Sequence, residues 1–130
     1  MDFVESRLFG VAIDEAGHDV VLSIVDRNGV KCVLNLHGVE RILVTDFRQQ
    51  NVIEELTHWA SSSSVLAPRE AIFFLMTGGT EEACDSPMKK VAQEVVDRVN
   101  RGELEFMEIT AVFGAQILAS FSWMTIQREI

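Results

Sequence analysis

Near residue 46 the hydrophobic period of this chain changes. Before that point apolar residues tend to alternate with polar ones, and turn residues separate the runs. After it Val52, Ile53, Leu56, Trp59 and Ala60 fall at i, i+1, i+4, i+7 and i+8. Alternation suits a half-buried antiparallel sheet, whereas the second spacing suits one face of an amphipathic helix. A chain with both patterns in separate blocks is expected to be α+β.

The first block reads as four strands. Ser6 to Asp14 carries Leu8 or Phe9, Val11 and Ile13, and Glu15-Ala16-Gly17 turns the chain. His18 to Asp26 puts Val20, Leu22 and Ile24 on one face and Val21 and Val25 on the other. Asp26-Arg27-Asn28-Gly29 is a hairpin signal, because Asn-Gly tolerates the positive φ that tight turns need. Val30 to His37 follows, then a bend at Gly38 and a strand from Val39 to Thr45.

Asp46 is expected to cap a helix ending near Ala60, with Gln49 completing a capping-box-like Asp-x-x-Gln. Ser61 to Ser64 reads as a short flexible link, too short to separate domains. Ala71 to Met76 favours a buried strand by its length and by Phe73-Phe74, although Pro68-Arg69-Glu70 could equally open a short helix. Ser86 and Pro87 suit a helix start, and Val91, Ala92, Val95, Val96 and Val99 form one stripe before Gly102. Leu104 to Phe113 and Ala115 to Gln127 close the chain as two strands. In the former Leu104, Phe106 and Met107 compete for the inward positions. The expectation is a single α+β domain over residues 1–130: a mainly antiparallel sheet of six to seven strands with two helices packed on it.

Charge and composition narrow the function classes. Twenty acidic side chains against 11 basic ones give a net charge of −9. That balance repels nucleic-acid backbones and anionic membranes. No apolar run reaches the ~20 residues of a spanning helix. Met1-Asp2-Phe3-Val4-Glu5 lacks the basic and apolar regions of a signal peptide, so the expected location is the cytoplasm. Cys32 lies in an apolar run and reads as a buried hydrophobe, while Cys84 lies in a polar loop. A disulfide between them is not expected.

No constellation of catalytic residues stands out. His18, His37 and His58 lack metal-ligand spacing and read as turn or surface histidines. Gly78-Gly79-Thr80 could present amides to an anion, but Glu81-Glu82 follow, so a plain turn is expected. Cys84 sits among acids, which raise a thiol pKa and disfavour a nucleophile. Phe73, Phe74, Phe106, Phe121 and Trp123 are expected in the core, and the absence of tyrosine argues against an aromatic recognition surface.

The segment Gly38-Val39-Glu40-Arg41-Ile42-Leu43, leading into Phe47-Arg48-Gln49-Gln50-Asn51-Val52-Ile53, resembles small uncharacterised bacterial proteins, some of them grouped with immunity proteins of bacterial toxin systems. The resemblance implies an N-terminal antiparallel meander, a strand-to-helix step and a C-terminal strand pair containing Gly-Ala, here Gly114-Ala115. It carries over no catalytic residue.

Three functions remain open. The first is a non-enzymatic protein-binding module without cofactor, such as an immunity protein, that meets a basic protein such as a toxin. Its steering charges would be Glu81, Glu82 and Asp85, exposed ahead of the second helix. The second is a small enzyme or ligand-binding domain with a pocket between sheet and helices, using His37 and nearby carboxylates. The third is a subunit of a homo-oligomer that pairs through a strand edge or a helix face.

Overall fold

In the computed structural model of the chain, residues 3–61 and 65–129 are described. The expected link at Ser62 to Ser64 lies outside them. The elements run β1 (Arg7–Ile13), β2 (Val20–Val25), β3 (Lys31–His37), β4 (Arg41–Thr45), β5 (Asn51–Trp59), α1 (Arg69–Thr77), α2 (Ser86–Asn100), β6 (Glu105–Phe113), β7 (Gln116–Phe121) and β8 (Trp123–Arg128). The α+β expectation holds, with two helices and an antiparallel sheet. The sheet has eight strands rather than six to seven, in the order β4-β7-β6-β5-β1-β2-β3-β8.

The strand ladder joins its two halves where Arg7 and Leu8 of β1 pair with Val52 and Asn51 of β5, extended by backbone bonds between Ile53 and both Glu5 and Ser6. At the other end, chain connectivity joins them. β3 continues into β4 through Gly38, and β7 into β8 through Ser122, so the two strand pairs form one long ribbon with a corner. Backbone bonds from Ser122 N–H to His37 and from Glu40 N–H to Ser120 carry the pairing through that corner. The register slips by one residue across it, from Leu36 opposite Met124 to Arg41 opposite Ser120. Gly38 makes the bend at φ +63°, where an added Cβ would lie 2.5 Å from the Ser122 hydroxyl. Strands that switch layers through such corners are typical of orthogonal β packings.

The inner faces of both halves share one core. Leu8, Leu22, Ile24, Leu34 and Leu36 meet Ile53, Met107, Ile109, Ile117 and Phe121 there. A second core lies on the outer face of the β4-β7-β6-β5 half. Phe106, Leu118 and Leu104 are covered there by Ile72, Phe73, Leu75 and Met76 of α1 and by Ala92, Val95, Val96 and Val99 of α2. Both faces of β6 are therefore buried, which resolves the competition for inward positions: Phe106 faces the helices and Met107 the interior. No element among the described residues covers the outer face of the other half.

Several expectations are corrected here. The helix from Asp46 to Ala60 is strand β5. Two bulges explain the misleading spacing: against β6, Val112 is extra after the Val52–Phe113 pair and Glu54 is extra between Ile53 and Glu55. The bulge at Glu54 shifts parity, so Ile53 and Leu56 both face the interior although three residues apart. Trp59 faces outward and packs edge-on against Phe106. A strand buried on both faces and interrupted by bulges thus imitates a helical stripe. Asp46 caps nothing; it takes a left-handed φ of +56° and pairs with Arg48.

The run from Ala71 to Met76 is helical, within α1, and Gly78 closes that helix with φ +78°. The strand expected from Ala115 to Gln127 divides at the corner. There the alternation reverses, so Trp123 faces solvent instead of joining Ile117, Ala119 and Phe121. Phe74 is also exposed, and Val91 drops out of the buried stripe of α2. In the hairpin after β2 only Gly29 takes positive φ, at +82°. Asp26 C=O accepts from Gly29 N–H, and the Asp26 carboxylate accepts from the Asn28 and Val30 amides. That is a longer connection than a two-residue Asn-Gly turn. Cys32 and Cys84 are both free thiols, and Cys32 is buried.

Candidate functional site: an acidic groove beside the first helix

The three carboxylates expected to steer a partner do not act as a set. Glu81 is bound bidentately by Arg69, at 2.7 and 2.8 Å, and that guanidinium holds its carboxyl below the usual range. Asp85, not Ser86, is the N-cap of α2 and accepts the Met88 amide at 3.0 Å. Glu82 is exposed and makes no ion pair among the described residues. Reversing all three charges would therefore remove a helix cap and leave Arg69 without Glu81, so it would lower stability as well as change the surface charge.

The sheet supplies a different acidic surface. The bulge in β5 turns Glu55 and Thr57 outward, opposite Thr110 and Glu108 of β6. Beyond the cover of α1, this face carries Glu55, Glu108, Thr110 and Gln116. A groove of about 570 Å³ runs between it and α1, lined by Arg69, Glu70, Phe74, Glu108, Gln116 and Leu118 among others. Burial pushes the Glu108 carboxyl above the ordinary carboxylate range; a hydrogen bond with Gln116 opposes this, and the charge of Glu55 adds to it. Arg69 lines the groove, but its guanidinium is held by Glu81 and lies over the Phe73 ring at 4.9 Å. The arrangement suits the capture of a cationic group.

Burial also selects two histidine sites. His58 Nε2 lies 2.7 Å from Glu105 Oε1, and the ring stacks near Phe121. Glu105 is a buried carboxylate, whose second oxygen accepts the Ser61 amide at 3.4 Å. His58, expected as a turn or surface histidine, is instead turned inward by the strand and half-buried. His37 lies on the outer face, stacked on Trp123 with centroids 3.9 Å apart. Its Nε2 is 3.3 Å from the Thr125 hydroxyl and its Nδ1 3.7 Å from Asp19. Asp19 accompanies His37, and neither residue lines the groove beside α1. Among the described residues no group of three or more His, Cys, Asp or Glu side chains could hold a metal.

Asn51, expected within a helix, instead organises one end of the sheet. It is 1 % exposed. Its Oδ1 accepts the amides of Arg48 (2.8 Å) and Ala115 (3.0 Å), and its Nδ2 donates to the carbonyls of Leu8 (3.0 Å) and Arg48 (2.8 Å). One amide thereby ties β1, the loop before β5 and the β6–β7 turn together. The signal was an asparagine opening an apolar strand, since such a residue needs a full set of partners. No protein-family model, curated protein or solved structure matches the chain.

Proposed function

We propose that this chain is a non-enzymatic binding module for a basic protein surface, and that the groove beside α1 receives a cationic side chain of that partner. The observation that carries this reading is the pairing pattern around Glu108. Glu70 and Glu108 line one groove, the charge of Glu55 acts on Glu108 from the neighbouring strand, and the base that lines the groove is engaged by Glu81. A guanidinium from outside would satisfy Glu108 and Glu55 together, and charge-assisted bonds to carboxylates are the stronger kind. The net charge of −9 would speed encounter with such a partner. A toxin neutralised by an immunity protein is one partner of this chemistry.

The test is calorimetric titration with an arginine-rich peptide, and with the same peptide carrying citrulline for arginine. Binding of the first alone is expected, weakening as salt rises and lost in a Glu55→Gln/Glu108→Gln variant. Equal affinity of that variant would place the cation elsewhere and overturn the reading. In cells, the adjacent gene's product, if toxic, should be neutralised by the wild-type chain and not by the variant.

A further inference from the structure

The end of the strand order at β8 presents an open edge, and its residues suit a copy of themselves. Among the described residues β8 bonds to β3 along one side only. The Glu129 amide donates to Lys31 C=O. Antiparallel ladder bonds alternate along a strand. The N–H and C=O groups of Met124, Ile126 and Arg128 therefore point away from β3, toward the open side. Natural edges are usually blocked by lysine, proline, a bulge or a covering element. The sequence Trp123-Met124-Thr125-Ile126-Gln127-Arg128 contains neither lysine nor proline, and its register with β3 is unbroken. Its one charge is already bound, with Arg128 donating to Asp26 at 2.9 Å. Trp123 and Ile126 are 52 % and 40 % exposed. At the opposite end of the order, β4 is shorter and has α1 beside it.

We infer that two copies of this chain pair through β8, antiparallel about a two-fold axis at Thr125. In that register Met124 and Ile126 exchange backbone bonds with the partner's Ile126 and Met124. The exposed Ile126 then lies against the partner's Met124 on the core side. On the other side Trp123 lies against the partner's Gln127, and the two Thr125 residues face each other. Neither a like-charge pair nor Arg128 enters the centre of this contact. The acidic groove belongs to the other half of the sheet, and at physiological salt exposed charges are screened over about 8 Å. A two-fold contact of this kind is self-complementary and closes at a dimer. It is independent of the cation-binding reading.

Light scattering on the intact chain, from low micromolar to near-millimolar concentration, should show the mass rising toward twice that of one chain, with little dependence on salt. Ile126→Lys should remain folded by circular dichroism and stay monomeric. Register is tested in a Cys84→Ser background under mild oxidation. Thr125 would occupy a non-hydrogen-bonded pair with Cα atoms about 4.5 Å apart, within reach of a disulfide. Thr125→Cys should therefore cross-link, while Ile126→Cys, offset from the axis, should not. A concentration-independent monomer would overturn the proposal, as would a folded Ile126→Lys variant that still dimerises. Cross-linking of Ile126→Cys in preference to Thr125→Cys would overturn the register.

Discussion

Replacing Asn51 by alanine should be among the most damaging changes outside the apolar core. Its amide makes four bonds, and their environments differ. The bonds to Leu8 C=O and Ala115 N–H are buried, whereas those to Arg48 are only partly so. A buried group left without a partner costs about 1–3 kcal/mol. Two such groups give roughly 2–6 kcal/mol, and water can reach the Arg48 groups at little cost, so about 3–5 kcal/mol is expected. Domains of this size are stable by about 5–15 kcal/mol, and the loss should lower Tm by roughly 11–18 °C. Urea unfolding with an unchanged m-value is the direct assay.

Asn51→Asp sharpens the test. The new carboxylate keeps both amide donors but turns an oxygen toward the carbonyls of Leu8 and Arg48. Protonation restores a donor there, so its folded-state pKa should be raised. With more protons bound when folded, the variant's stability relative to wild type should fall as pH rises through the carboxylate range. The reasoning fails if Asn51→Ala lies within about 1 kcal/mol of wild type, since a stranded buried group cannot cost so little, or if Asn51→Asp shows no pH dependence of this sign.

Three further outcomes are expected. Gly29→Val should cost about 1–3 kcal/mol through backbone strain alone, because nothing lies within 4 Å of its added Cβ; Gly29→Asn should be nearly neutral in chemical denaturation. Glu108 has a folded-state carboxyl pushed upward by burial, so the folded chain binds more protons than the unfolded chain just above the ordinary carboxylate pKa. Stability from this group should decline as pH rises through that window, and Glu108→Gln should flatten the decline in pH-dependent melting. Asp85→Ala should cost about 0.5–2 kcal/mol as a lost cap, while Glu82→Lys should leave the melting temperature unchanged.

The parts of the fold that could be read from the chain are those whose pattern is local. Strands β2 and β3 alternate, and the turns after β1, β2 and β3 hold Gly17, Gly29 and Gly38, all of which take positive φ. Helix α2 shows its valine stripe, and Val95 is buried as its position requires. What failed depended on distant partners. The parity of β5 is set by bulges against β6, about fifty residues downstream. The break at Ser122 exists because the chain turns a corner with Gly38, and only pairing reveals that. A six-residue apolar run such as Ala71 to Met76 fits either a strand or a short helix, and packing on Phe106 and Leu118 decided it.

The candidate site was harder still to foresee. The loop acids looked available because Arg69, 12 residues before Glu81, gave no sign of reaching it. Asp85 precedes a Ser-Pro step, where its use as a cap was readable one position away from the residue chosen. Glu108 stood out only once the structure set it near Glu55 and at the groove beside α1.

The cornered ribbon also governs the order in which this chain can become folded. β3 emerges early during synthesis, yet the strand that covers its second side is β8, with His37 and Thr125 separated by 88 residues. Until β6 and β7 appear, Leu22, Leu34 and Leu36 lack most of their opposing layer, and until β8 appears β3 keeps an unpaired edge. Pairings of such long range are slow to form, and unpaired strand edges are prone to aggregate while they wait. Folding should therefore be completed only after the last strand is made. Its rate should be limited by closure of the ribbon, with the hairpin at Gly29 forming early and contributing little to the barrier.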